Sequence, residues 1–241
     1  MRLPLRTLCD ADLLRAHAAA SASLDGFRQA TLQHGSLIQS WVCRADVVAL
    51  EHYPRGGVVD RQHGSQFFYH CHRADSADRA DRTEHGHVHL FWHATRSGRR
   101  RRLAPTTGTE AEWSRSAPTH LIAIGLNARG LPVSLFSVNR WVTGGHWFDA
   151  PTTLCMLNRF QLRDVPGHTE SCAWITTFVQ LYAPTVASVL EARDRRLARQ
   201  TNPARALDDR RIEVISSARI DWMKDLQRLD DEVAARGLQA R

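Results

Sequence analysis

Lysine is almost missing from this chain: Lys224 is the only one, so the 32 basic residues are otherwise arginines. The formal net charge of +7 and the isoelectric point near 9.8 therefore rest on arginine. Together with the many alanines, that bias reflects GC-rich coding, as in many bacteria, and gives little ground for a nucleic-acid interface. The densest basic run, Arg99 to Arg102 after Ser97-Gly98, reads as a solvated loop of like charge. Cysteine is sparse too: Cys9, Cys43, Cys71, Cys155 and Cys172 form no C-x-x-C and no regular spacing. That excludes a disulfide scaffold or a zinc ribbon and fits a reduced, intracellular protein. The opening "MRLPLRTLCDADLLRAHAAA" has no apolar core of a secretory signal. No stretch approaches the ~18 uninterrupted apolar residues of a membrane span. The expectation is a cytoplasmic protein without a membrane partner.

What is present is ample for a folded core. The 241 residues are 43% hydrophobic with ordinary charge content, which points to one domain over 1–241. Residues 1–50 read as a helical flank: Asp10 can cap a helix through "ADLLRAHAAASASLDGFRQATLQHG", with Gly35 as its stop. Residues 51–147 read as a sheet. "SQFFYHCH" (65–72), "HGHVHLFWHA" (85–94), "THLIAIGL" (119–126) and "PVSLFSVNRW" (132–141) are aromatic and β-branched runs of strand length. "NARG" (127–130) marks a hairpin, and 95–118 is a long polar loop. Residues 148–241 return to helix, over 169–200 with a break near Pro184, and over 219–237. The fold class is α+β: an antiparallel sheet of about four or more strands, flanked by N- and C-terminal helices.

The chemistry concentrates in "YHCHRADSADRADRTEHGHVHLF", Tyr69 to Phe91, with its five histidines in two clusters. Side chains alternate faces along a strand, so His70 and His72 share one face of the first run. His85, His87, His89 and His93 share one face of the second. Antiparallel pairing sets His70 near His87 and His72 near His85, with opposed Cβ atoms ~4.5–5.5 Å apart. Three or four imidazoles can then converge on one point. Crowded neutral imidazoles suit a divalent transition metal, such as iron, zinc or copper. Candidate ligands are His70, His72, His85, His87 and His89, with Glu84 as a carboxylate donor if the chain bends there. Gln66 and Asp60 could orient the rings, and Cys71 points to the other face.

Three resemblances bear on these residues. "GSQFFYHCH" resembles the opening of a cupin motif, which implies metal chemistry on a small organic substrate. The glutamate expected three or four residues on is replaced by Ser76 and Ala77. "HGHVHLF" resembles the histidine-triad motif of nucleotide hydrolases and transferases, which would make His87 a nucleophile toward phosphate; Gly86 departs from it. "HYPRGGVVDRQHGSQFFYHCHR", "EHGHVHLFWH" and "THLIAIGLNARGLPVSLFSVNRWVTGG" resemble a bacterial family of unknown function. Its signatures are His-Tyr-Pro, Tyr-His-x-His, Glu-His-Gly-His-x-His and Asn-Arg-Trp-Val-Thr. Phe68 and Val88 replace an expected tyrosine and phenylalanine, and no activity comes with the resemblance.

Asn139 and Arg140 end the fourth run, and Arg140 could hold an anionic substrate bidentately; a salt bridge to a helix carboxylate is the competing role. Both are candidate catalytic residues. The leading expectation is a metal-dependent oxidoreductase or hydrolase acting on a small molecule. A histidine-triad transferase and a non-catalytic metal binder are the alternatives. Oligomeric state is not legible.

Overall fold

The computed structural model describes residues 3–43, 47–72, 84–93, 118–163 and 165–238. The Arg99–Arg102 run, the polar loop around it, and Ser76 and Ala77 lie outside the described residues. Among those described, six strands form one antiparallel sheet in chain order. They are β1 (Tyr53–Asp60), β2 (Ser65–Cys71), β3 (Gly86–Trp92), β4 (Thr119–Leu126), β5 (Pro132–Val138) and β6 (Val214–Arg219). Eight helices accompany them: α1 (Asp10–His34), α2 (Gln39–Val42), α3 (Arg140–Thr143), α4 (Ala150–Leu157), α5 (Thr169–Leu181), α6 (Ala183–Ala198), α7 (Pro203–Ala206) and α8 (Trp222–Ala235).

The sheet has an apolar face because alternate residues of every central strand are large and aliphatic or aromatic. Phe67 and Tyr69 of β2, Val88 and Leu90 of β3, Ile122 and Ile124 of β4 and Leu135 of β5 are all buried in one cluster. Trp41 of α2 lies against Phe67 and Tyr69, with ring centroids 5.7 and 5.6 Å away, and also against Trp174 of α5. The long helix α1 packs along α5, and Gly26 permits that approach. A Cβ there would sit 3.0 Å from both the Glu170 carbonyl and the Trp174 amide. Gly35 ends α1 in the left-handed conformation at φ 89°, its N–H bonded to the Thr31 carbonyl.

The α+β class and the four expected strand regions are present, and two further strands join them. β1 carries Pro54 and two glycines of positive φ, Gly56 and Gly57, and pairs with β2 through a bulge. Those residues read as turn signals, which concealed a strand. β6 supplies six residues that the expected 219–237 helix partly claimed; the helix begins at Trp222, after Asp221 caps it. The fourth run stops at Val138, because Asn139 turns the chain into α3. The expected break near Pro184 lies at Tyr182, where α5 and α6 diverge by 70° with Pro184 in the first turn of α6. No single helix among the described residues is long and apolar enough to cross a membrane.

Candidate metal centre

The opposite face of the same sheet carries the histidines. His70 of β2 stands directly across from His87 of β3, in the register that alternation predicts. Their Nε2 atoms are 2.6 Å apart. His72 follows at the end of β2, its ring centroid 5.1 Å from each of those two rings. One ligand atom from each of His70, His72 and His87 can be chosen so that all lie within 4.8 Å of one another. Three protein nitrogens that close can share an ion whose bonds are ~2.0–2.1 Å. Two nitrogens on one tetrahedral ion stand ~3.3 Å apart, so the His70–His87 contact would have to open by roughly 0.7 Å to admit one.

Glu84 sets the tautomer. Its Oε1 lies 2.9 Å from His87 Nδ1, and a carboxylate can only accept there. His87 therefore carries its proton on Nδ1, and its Nε2 lone pair faces His70 and His72. In the ion-free protein His70 Nε2–H donates to that lone pair. The other carboxylate oxygen, Oε2, accepts from Ser134 Oγ at 3.0 Å. The arrangement is the carboxylate–histidine pair that commonly backs a metal ligand. Gly125, between the two, is required: a Cβ there would collide with Glu84 and with Ser134.

This placement revises two ligand candidates. Glu84 reaches the histidine face through the bend on which its candidacy depended, and it does so as the partner of His87 Nδ1. His85 moves the other way: its Nδ1 shares a hydrogen bond with the Tyr69 hydroxyl at 2.6 Å, among core-face residues. Regular alternation fails because the β2–β3 ladder ends at the Cys71–Gly86 pair. Gly86 leaves room for the Tyr69 ring to pass, which explains its departure from the histidine-triad pattern.

His89 is on the expected face but its Nδ1 meets His120 Nε2 at 3.0 Å. His120 was not among the candidate ligands. A bulge between Leu90 and Phe91 of β3 and their β4 partners pairs Phe91 with His120 and leaves Leu121 surplus. An unbroken ladder would have turned His120 toward the helices. Nothing in the alternation of "THLIAIGL" announces that extra residue. Around the rings lie Phe68, Phe91 and Phe136, with His52 stacked on Phe68 at 3.8 Å and 16°.

Burial holds His70, His87, His89 and His120 neutral. His87 is 4% exposed and His89 1%. Loss of solvent, reinforced by the neighbouring rings, brings His70 to about 2, with His87, His72 and His52 the contributors. Desolvation and His72 bring His87 to about 3. Desolvation, then Arg193 and His87, bring His120 to about 3. Burial, then His87, His120, His70 and His52, leave His89 well below the ordinary imidazole value. Neutral imidazoles are the form that binds a cation without displacing protons.

The family described as a domain of unknown function, DUF6969, matches residues 17–220. The chain belongs to that family. No curated protein and no solved structure matches it. The family domain covers the whole histidine face and the Asn-Arg-Trp-Val-Thr signature, whose role here is architectural. The Asn139 side chain caps α3 by accepting from the Arg140 amide at 2.8 Å, and its NH2 donates to the carbonyls of Ala206 and Ile212. Arg140 makes a two-pronged pair with Asp208, at 3.2 and 2.6 Å. Trp141 Nε1 donates to the Ile212 carbonyl at 2.9 Å. Together they fasten the 206–212 turn beside β5. The catalytic role expected of Asn139 and Arg140 thus meets side chains already committed to that turn. Of the suggested orienting groups, Gln66 bonds His93 and Asp60 bonds His63, both away from His70 and His87.

Proposed function

We propose that this protein is a metal-dependent enzyme in which His70, His72 and His87 hold one divalent transition ion, zinc, iron or copper, that acts on a small organic substrate. The carrying observation is the convergence of three imidazoles, His87 among them backed by Glu84 and through it by Ser134. An imidazole ligand carries no charge, so the ion would keep its full charge and supply Lewis-acid polarisation of water or of a substrate oxygen. His87 holds its lone pair toward the ion through the Glu84 hydrogen bond. His70 and His72 are half-buried, so the centre is reached from their side. Phe68, Phe91 and Phe136 give the surroundings an apolar character that excludes water around the donors.

Two observations favour this reading over the histidine-triad transferase. Both nitrogens of His87 are engaged, by Glu84 and by His70, and the ring is buried. A phosphate would need one of those nitrogens exposed in line. Elemental analysis tests the proposal on full-length protein stripped with chelator and reconstituted separately with zinc, iron(II) and copper(II). Near-stoichiometric retention of one of them is expected, and its loss in a folded His70→Ala/His87→Ala variant. Absence of retained metal after all three reconstitutions would overturn it. Turnover on panels of hydrolysable and oxidisable small molecules then separates an enzyme from a metal binder without chemistry.

A further inference from the structure

The three-histidine centre uses only part of the array. The rings of His72, His70, His87, His89 and His120 form one continuous file, successive centroids 5.1, 4.4, 4.7 and 5.1 Å apart. The last two rings play no part in the centre proposed above, yet they are held as carefully. His89 is almost fully buried, and His120 reaches it only because β4 carries a surplus residue. Bulges that re-aim one side chain concentrate next to functional sites.

We infer that His89 and His120 form a second metal position beside the first, making the site dinuclear. The distance fits: nitrogens 3.0 Å apart subtend about 95° at an ion bonded at ~2.05 Å, within the range of four- to six-coordinate sites. Spacing fits as well. The His89 ring lies 4.7 Å from that of His87 and 4.9 Å from that of His70, so the second position would adjoin the first. Two-metal centres place their ions ~3.5–4 Å apart. Charge then specifies what else binds. Among the described residues Glu84 faces His87, and the Arg193 guanidinium acts on His120, which favours an anion at that end. Two divalent ions need an anionic oxygen donor between them, a hydroxide or the carboxylate or phosphate of a substrate. With two protein nitrogens instead of three, the second position is the weaker of the two.

This inference rests on the first centre, and metal counting separates the two claims. Metal-free full-length protein is titrated with cobalt(II), followed by its visible absorption, and bound ions are counted by native mass spectrometry with and without inorganic phosphate. Two ions are expected, the second binding at least tenfold more weakly and tightening when phosphate is present. His120→Gln and His89→Gln should each bind one ion, and His72→Ala should lose the tighter step. One ion in the wild type under every condition, or two ions still bound by folded His120→Gln, would overturn the dinuclear assignment alone. No ion at all would overturn both claims. The wild-type count decides the matter even if a variant fails to fold.

Discussion

One sheet presents two buried faces built on opposite rules. Toward the helices, Phe67, Tyr69, Val88, Leu90, Ile122, Ile124 and Leu135 are removed from water as apolar groups, which stabilises the fold by ~25 cal/mol per Å². Toward the other side, the intervening residues of the same strands bury His87 and His89 and half-bury His120. Burying such a ring without full hydrogen bonding costs about 1–3 kcal/mol. The helix-facing side is thus self-sufficient, and the histidine side gains its justification from something that binds there. The contrast teaches that burial alone does not identify a core.

The comparison breaks most sharply by substitution on each face. His87→Ala is expected to abolish measurable metal retention while leaving a cooperative unfolding transition. Leu90→Ala, its neighbour in the same strand, should lower stability by about 2–5 kcal/mol yet keep metal stoichiometry in the folded fraction. Denaturant melts paired with elemental analysis read both. Equal metal loss from the two variants would erase the distinction between the faces.

Acid should come next in size. Folded His87 and His120 stay neutral down to about 3, whereas unfolded histidines protonate near 6.5. Between those values the unfolded chain binds more protons, so stability rises with pH and falls on acidification. From pH 6.5 to pH 5 each of these rings contributes a loss of about 2 kcal/mol in the metal-free protein. Urea melts at the two pH values test this, and a flat profile would contradict neutral burial.

Smaller still is the effect of the group behind the ligand. Glu84→Gln retains the size of the side chain but removes its charge, and metal affinity should fall 10–100-fold, read by competition with a chromophoric chelator. At the bottom of the scale is Arg140→Ala. The Arg140–Asp208 pair is partly solvated, so its loss should change stability by less than about 1 kcal/mol and leave metal affinity untouched. A large drop in metal affinity there would restore the expected role of Arg140 at the site.

Much of this was legible in the chain. Alternation in "SQFFYHCH" and "HGHVHLFW" set His70 opposite His87 and turned Cys71 away, because both runs stay regular along that stretch. Legibility failed where regularity did. Glu84 and His85 exchange sides just beyond the last paired residue, and the surplus Leu121 reverses the faces for His120. β1 was hidden by its proline and glycines. β6 joins β5 through a pairing of Ser134 with Arg219, far apart in sequence, which no local pattern encodes. Asn139 and Arg140 looked chemical because their groups suit catalysis, and only the 206–212 turn reveals what occupies them.

That surplus residue in β4 also limits portability. The strand changes phase near its start, so its two ends follow opposite conventions for which side is which. Anyone transplanting the file of rings onto a different scaffold must carry the irregularity along with the histidines, since copying the five side chains onto a uniform ladder would leave the last one stranded behind the sheet.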